Sequence, residues 1–268
     1  MKTTLYIASD SIKALLHKRL LMAVILASIG LTSIFSVGLG KFQKEVLQLL
    51  SSDQMMLDES EVNAQQGNVQ RGIVQPLTKI FMAVFYWFNA LGGAVITLFI
   101  CCTAVSSEIR QGTIRITLTK PVTRSQFLLG KYCGGVAILA VYALIVGVAI
   151  MFFTGIHKLD LGAAVRYAPW LIFCSNLMLG SIGMLLSLYL HPLIAGVLAF
   201  FISATYLSPS NPLYYILPSY DRFNIFAQLF KGQVFTVWDV FTLSLYAVDV
   251  TAMVLLMALW RFKTKELT

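Results

Sequence analysis

The sequence predicts an all-α membrane protein: six transmembrane helices, an N-terminal amphipathic interfacial helix, and a re-entrant or interfacial segment before the last helix. Three observations carry this reading. First, 58% of the 268 residues are hydrophobic and only 12% charged, against about 45–50% and about 25% in soluble domains, and mean hydropathy is +0.79. Second, the apolar residues fall into runs near the roughly 20 residues that a helix needs to cross hydrocarbon. Third, the basic residues collect on alternate connections between those runs. The same composition excludes a disordered chain, a collagen-like repeat and, with four Cys, a secreted disulfide scaffold.

The elements follow in order. Residues 1–19 carry Leu5, Ile7, Ile12, Leu15 and Leu16 beside Lys13, His17, Lys18 and Arg19. Such a segment suits a helix lying in the interface with its bases at the headgroups; a plain basic flank is the other reading. The first span is 20–39, with no charge between Arg19 and Lys41. Its apolar run exceeds the 7–15 residues of a signal h-region, so a retained span is expected. Residues 40–79 connect it to the second span, 80–105. The third, 126–154, is opened by Thr123-x-x-Gln126, the spacing of a capping box. Spans 168–190 and 193–207 are separated at Pro192 and should form a tight hairpin. Residues 208–239 hold Tyr214, Tyr215, Tyr220, Phe223, Phe226 and Phe230, a density that fits an interfacial or re-entrant element as well as an aromatic belt. The last span is 240–260. All six runs are too apolar all round for one-sided surface helices, and a barrel would show period-2 alternation instead. The whole of 1–268 reads as one transmembrane domain.

Charge orients it. The side holding 1–19, the 106–125 loop with Lys131, and the 261–268 tail carries twelve bases and three acids, a net +9. The opposite side carries eight of each, and Asp249 inside the last span supplies the remaining −1 of the chain's +8. Lys and Arg concentrate on cytoplasmic loops, so both termini are expected in the cytoplasm. With the positive charge explained as orientation, nothing is left to suggest a nucleic-acid partner.

One basic-side loop carries more than topology. It reads Ser106-Ser107-Glu108-Ile109-Arg110-Gln111-Gly112-Thr113-Ile114-Arg115-Ile116-Thr117-Leu118-Thr119-Lys120-Pro121-Val122-Thr123-Arg124, continuing to Leu129-Gly130-Lys131. Ile109, Ile114, Ile116 and Leu118 are interleaved with charge, Gly112 permits a change of direction, and Pro121 ends what precedes it. A short amphipathic element between two rigid helices suits a lever pushed by a cytoplasmic partner, and equally an idle structured connection.

Glu108-x-x-x-Gly112-Thr113, Pro121-Val122-Thr123-Arg124 and Gly130-Lys131 resemble the signature of ABC-2-type transporter permeases. Leu217-Pro218 followed by Phe223-Asn224 is similar to a segment before the last span of its single-domain members, such as the copper-site maturation and gliding-motility permeases. The resemblance implies a type V exporter architecture in a bacterial or archaeal plasma membrane. A second permease subunit, most simply another copy of this chain, would complete the translocation path within membrane lipid. Two cytoplasmic ABC ATPase subunits would bind ATP and Mg, so this chain would bind no cofactor itself. Residues 106–120 would be the coupling helix, with Glu108, Gly112, Thr113, Ile114, Arg115, Pro121 and Arg124 as ATPase-coupling positions; Arg124 and Lys131 also suit topology and loop anchoring.

Several motifs are absent. Neither Gly40-Lys41 nor Gly130-Lys131 continues as a P-loop, so ATP hydrolysis must come from a partner chain. There is no H-E-x-x-H, no G-x-S-x-G and no carboxylate pair within a span, which leaves no catalytic residue to name. Cys101, Cys102, Cys133 and Cys174 read as small span residues, and His17, His157 and His191 lie too far apart in sequence for a metal cluster. Asn89 and Asn176 suit interhelical hydrogen bonding, and Gly92-Gly93, Gly134-Gly135, Gly180 and Gly183 suit close helix approach. Asp249 lies about 18 Å along a helix from Arg261, near mid-membrane. There it is either a polar residue of the translocation path or a packing residue. Two alternative functions remain: a non-transporting membrane anchor or sensor gated by an ABC ATPase, and an ion-coupled carrier using Asp249.

Overall fold

A computed structural model describes residues 75–110, 123–156, 164–204, 218–224 and 236–264, together with single helical positions between Ala23 and Glu45. The segment 1–19 and most of the expected first span lie outside the described residues. Five helices make up the described bundle. They are α1 (Gln75–Arg110), α2 (Arg124–Ile156), α3 (Ala164–Ser187), α4 (Pro192–Ala204) and α5 (Val237–Thr264). A short 3₁₀ turn, Tyr220–Phe223, precedes α5. Helices α1, α2, α3 and α5 are each long and apolar enough to cross a membrane. Helix α4 is apolar but has 13 residues, a rise of about 20 Å, short of the roughly 30 Å hydrocarbon core.

Helix starts follow local chemistry. Thr123 and Gln126 form the expected reciprocal cap: the Gln126 amide N–H donates to Thr123 Oγ1 at 3.3 Å, and the Thr123 N–H donates to Gln126 Oε1 at 3.1 Å. Two orphan donors at the head of α2 are thereby satisfied. Asp239 accepts from the Thr236 N–H at 2.8 Å and steadies the head of α5 in the same manner. Pro192 occupies the first position of α4, where its missing N–H costs nothing. The turn 188–191 then folds α4 back against α3, and Ala195 N–H bonds His191 O at 2.9 Å.

Helix α3 is the axis of the bundle and packs against all the other helices, most extensively against α1. In lipid, water expulsion does not drive helices together, so close packing must do so. Small residues permit it. A Cβ on Gly180 would sit 2.7 Å from Thr97 Cγ2, and one on Gly183 would sit 2.9 Å from Cys102 Sγ. The hydroxyls of Ser175, Ser181 and Ser187 bond carbonyls one turn back on α3 itself, so these buried residues act as small packing units. The outward residues are large and apolar, including Leu144 and Val148 on α2, Leu193 and Phe201 on α4, and Phe241, Leu245 and Leu256 on α5.

Candidate functional site

Four helix ends converge at one end of the bundle. Here α1 finishes, α2 begins, and α3 and α5 finish, around a cluster of Val105, Phe127, Leu128, Met184, Leu188 and Phe262. Phe127 and Phe262 stack with ring centroids 6.2 Å apart. Over this base lies an ion pair across the stem of the 111–122 loop: Lys131 Nζ is 2.6 Å from Glu108 Oε1. Both side chains are about four-fifths buried, and the ammonium also sits 5.7 Å from the Phe127 ring centroid. Arg124 reaches in another direction. Its Nη1 donates to Phe262 O at 3.4 Å and Lys263 O at 3.2 Å, so its charge meets carbonyls at the negative end of α5. Arg261 in turn lies 5.0 Å from the ring of Tyr189, just past α3. The two ends of the loop are thus anchored to each other and to the last helix.

The opposite end is built from aromatics and amides. Tyr86, 22 residues before Glu108, lies about 33 Å away along α1, roughly one hydrocarbon thickness. Its hydroxyl donates to Phe223 O at 2.7 Å. The Tyr220 hydroxyl is 3.2 Å from both Ala90 O and Asn176 Oδ1, and the Tyr142 hydroxyl donates to Asn89 O at 2.9 Å. The 220–223 turn is therefore pinned between α1 and α3. A cavity of about 150 Å³ opens beside it, walled by α1, α4 and the turn.

Helix α5 carries its own ruler. Trp238 and Trp260, both strongly exposed, are 22 residues apart and so about 33 Å, where two interfacial aromatics would sit. Asp249 falls midway between them and is exposed on the outside of the bundle. Among the described residues, no hydrogen bond or ion pair engages its carboxylate.

A family model described as ABC-2 family transporter protein matches residues 8–202. The chain belongs to the ABC-2 transporter family. The match includes the 106–125 loop and both of its stems, and ends within α4. No curated protein matches the chain. An ABC-2 permease is the membrane component of a transporter and is not itself the ATPase; permeases of this family work with ABC ATPase partners. The apolar helices and the family agree on an integral membrane protein.

Of the sequence-derived coupling residues, Glu108 and Arg124 both lie at the loop end of this ABC-2 permease but engage different partners, whereas Gly112, Thr113, Ile114, Arg115 and Pro121 lie outside the described residues. The pairing of Glu108 with Lys131 was not legible in the sequence. Opposite charges on the two stems were its only signal. Asn89 differs from expectation: its amide bonds Phe85 O one turn back at 2.9 Å, and its backbone carbonyl is what reaches another helix. The Asn176 amide likewise bonds Ile172 O on its own helix, while its Oδ1 accepts from the 220–223 turn.

Proposed function

We propose that this chain is the membrane-spanning permease subunit of an ATP-driven exporter. Two copies form the path, and two cytoplasmic ATPases bind at the loop end. In this reading the chain crosses the membrane six times with both termini in the cytoplasm, residues 106–120 form the coupling helix, and the 220–223 turn is a re-entrant cap on the far side. The observation that carries it is the bracing of the loop: Glu108 to Lys131, and Arg124 to the end of α5. A loop anchored at one stem would swing idly. Braced at both, it transmits a push to α1, α2 and α5 together. ATP-driven closure of the ATPases then rocks the helices and opens the dimer-axis path outward. The coupling interaction is a positioning contact, since Glu108 is occupied by Lys131.

The test is charge reversal in proteoliposomes containing the permease and its ATPase. Glu108→Lys places two like charges at a site that is mostly buried, and substrate-stimulated ATP turnover should fall by about 10-fold or more. The double variant Glu108→Lys with Lys131→Glu should recover most of it. A single variant that couples normally sinks the assignment. Turnover that never responds to a transported solute favours the gated anchor instead.

A further inference from the structure

The cavity at the end away from the loop has a chemistry of its own. Five of its walls are aromatic: Tyr86 and Trp87 from α1, Phe200 from α4, and Tyr220 and Phe223 from the turn. The two phenol hydroxyls are already committed, Tyr86 to Phe223 O and Tyr220 to Ala90 O and Asn176 Oδ1. These residues therefore line the cavity without free donors. Among the described residues, one charged residue borders it, Asp221. Among the described residues, no hydrogen bond or ion pair engages that carboxylate. The adjacent Arg222 is turned elsewhere, with its guanidinium 4.7 Å from the Tyr246 ring on α5.

We infer that this cavity binds the quaternary ammonium head of an amphiphile. Aromatic rings carry negative charge on their faces and attract a cation whose hydration is weak, the attraction strengthening as water is excluded. A carboxylate at the mouth adds a counter-charge and disfavours anions. The size agrees: a cavity of about 150 Å³ accepts one alkylated ammonium group, whereas pockets for drug-sized ligands run to roughly 300–1,000 Å³. The remainder of the molecule must trail out past Trp87 and Phe200, which are 57% and 36% exposed, along an apolar helix surface. The ligand is thus an amphiphile held by its head. Two sources share that chemistry, the choline headgroup of a lipid and a soluble quaternary ammonium compound.

The inference rests on the exporter reading, for which it names a class of ligand, yet it is tested without nucleotide. The permease with its ATPase is placed in nanodiscs of phosphatidylglycerol, and binding of benzyltrimethylammonium is measured by isothermal titration against empty discs. Neopentylbenzene, its uncharged isostere, is the control. The cation should bind about 10-fold tighter than the isostere. Asp221→Asn should weaken the cation by about 10-fold and leave the isostere unchanged, while Asp221→Glu restores binding. Trp87→Leu should weaken the cation by about 5-fold. Equal affinity for cation and isostere, or an Asp221→Asn variant that binds normally, overturns the inference. Adding phosphatidylcholine to the discs separates the sources: competition supports the site with a lipid headgroup as ligand, and no competition supports it with a soluble amphiphile. Normal ATP-coupled turnover without cation preference removes this inference alone. Cation binding that survives while the Glu108→Lys variant still couples removes the exporter assignment of the loop alone.

Discussion

The two ends of this bundle are held by different forces. At the loop end, large apolar side chains fill the space between four helix termini, and charged groups close it from above through an ion pair and carbonyl contacts. At the other end, single hydroxyl–carbonyl bonds pin a four-residue turn, and a cavity remains. The first arrangement resists deformation in any direction. The second holds position but leaves room beside the pin. The exporter proposed above would use both: a stiff end to receive a push, and an adaptable end to accommodate or release something. Close helix approach serves both ends: a Cβ on Gly93 would sit 2.6 Å from the Asn176 side chain, and one on Gly180 would sit 2.7 Å from Thr97.

The contrast can be broken by substitution. The largest effect should come from Phe262→Ala. Phe262 is fully buried in the base and stacked on Phe127, and truncation there should cost about 3–5 kcal/mol, read as the thermal unfolding midpoint of the purified protein. Tyr220→Phe at the other end removes one hydroxyl and should cost about 0.6 kcal/mol, the average for a hydrogen bond between membrane segments. If the two variants unfold at the same temperature, the ends do not differ as described. The smallest effect should come from Asp249→Asn. The carboxylate touches neither end and has no described partner, so ATP-driven turnover should persist. Transport driven by a proton gradient without nucleotide, and lost in Asp249→Asn, would instead favour the ion-coupled carrier.

Much of the fold was legible in the sequence because lipid imposes a length on anything that crosses it. The runs 80–105, 126–154, 168–190 and 240–260 fall within α1, α2, α3 and α5 to within a few residues. The helices extend past the apolar runs because a helix continues into polar residues once nucleated; α1 runs on to Arg110, past the last apolar residue of its run. The cap at Thr123 was legible because it depends on four consecutive residues. The candidate site was less so. Glu108 and Lys131 are 23 positions apart, and only the antiparallel return of α2 brings them together. The Tyr86, Tyr220 and Asn176 contacts were hidden for a further reason. They depend on where the 220–223 turn inserts, and no periodicity encodes that depth. Asn89 shows how a local competitor prevails, since its own helix offers a carbonyl one turn back before any neighbour arrives.

The bond from Arg124 to the end of α5 also sets an order of events during synthesis. Its acceptors, Phe262 O and Lys263 O, lie 138 and 139 residues downstream. At roughly 5–20 residues per second, the ribosome reaches them about 7 to 28 s after Arg124 is made. For most of that interval α2 is complete while the α5 carbonyls that receive its arginine do not yet exist. The loop end therefore closes only when α5 arrives. A chain that stalls before α5 leaves the guanidinium without those two acceptors.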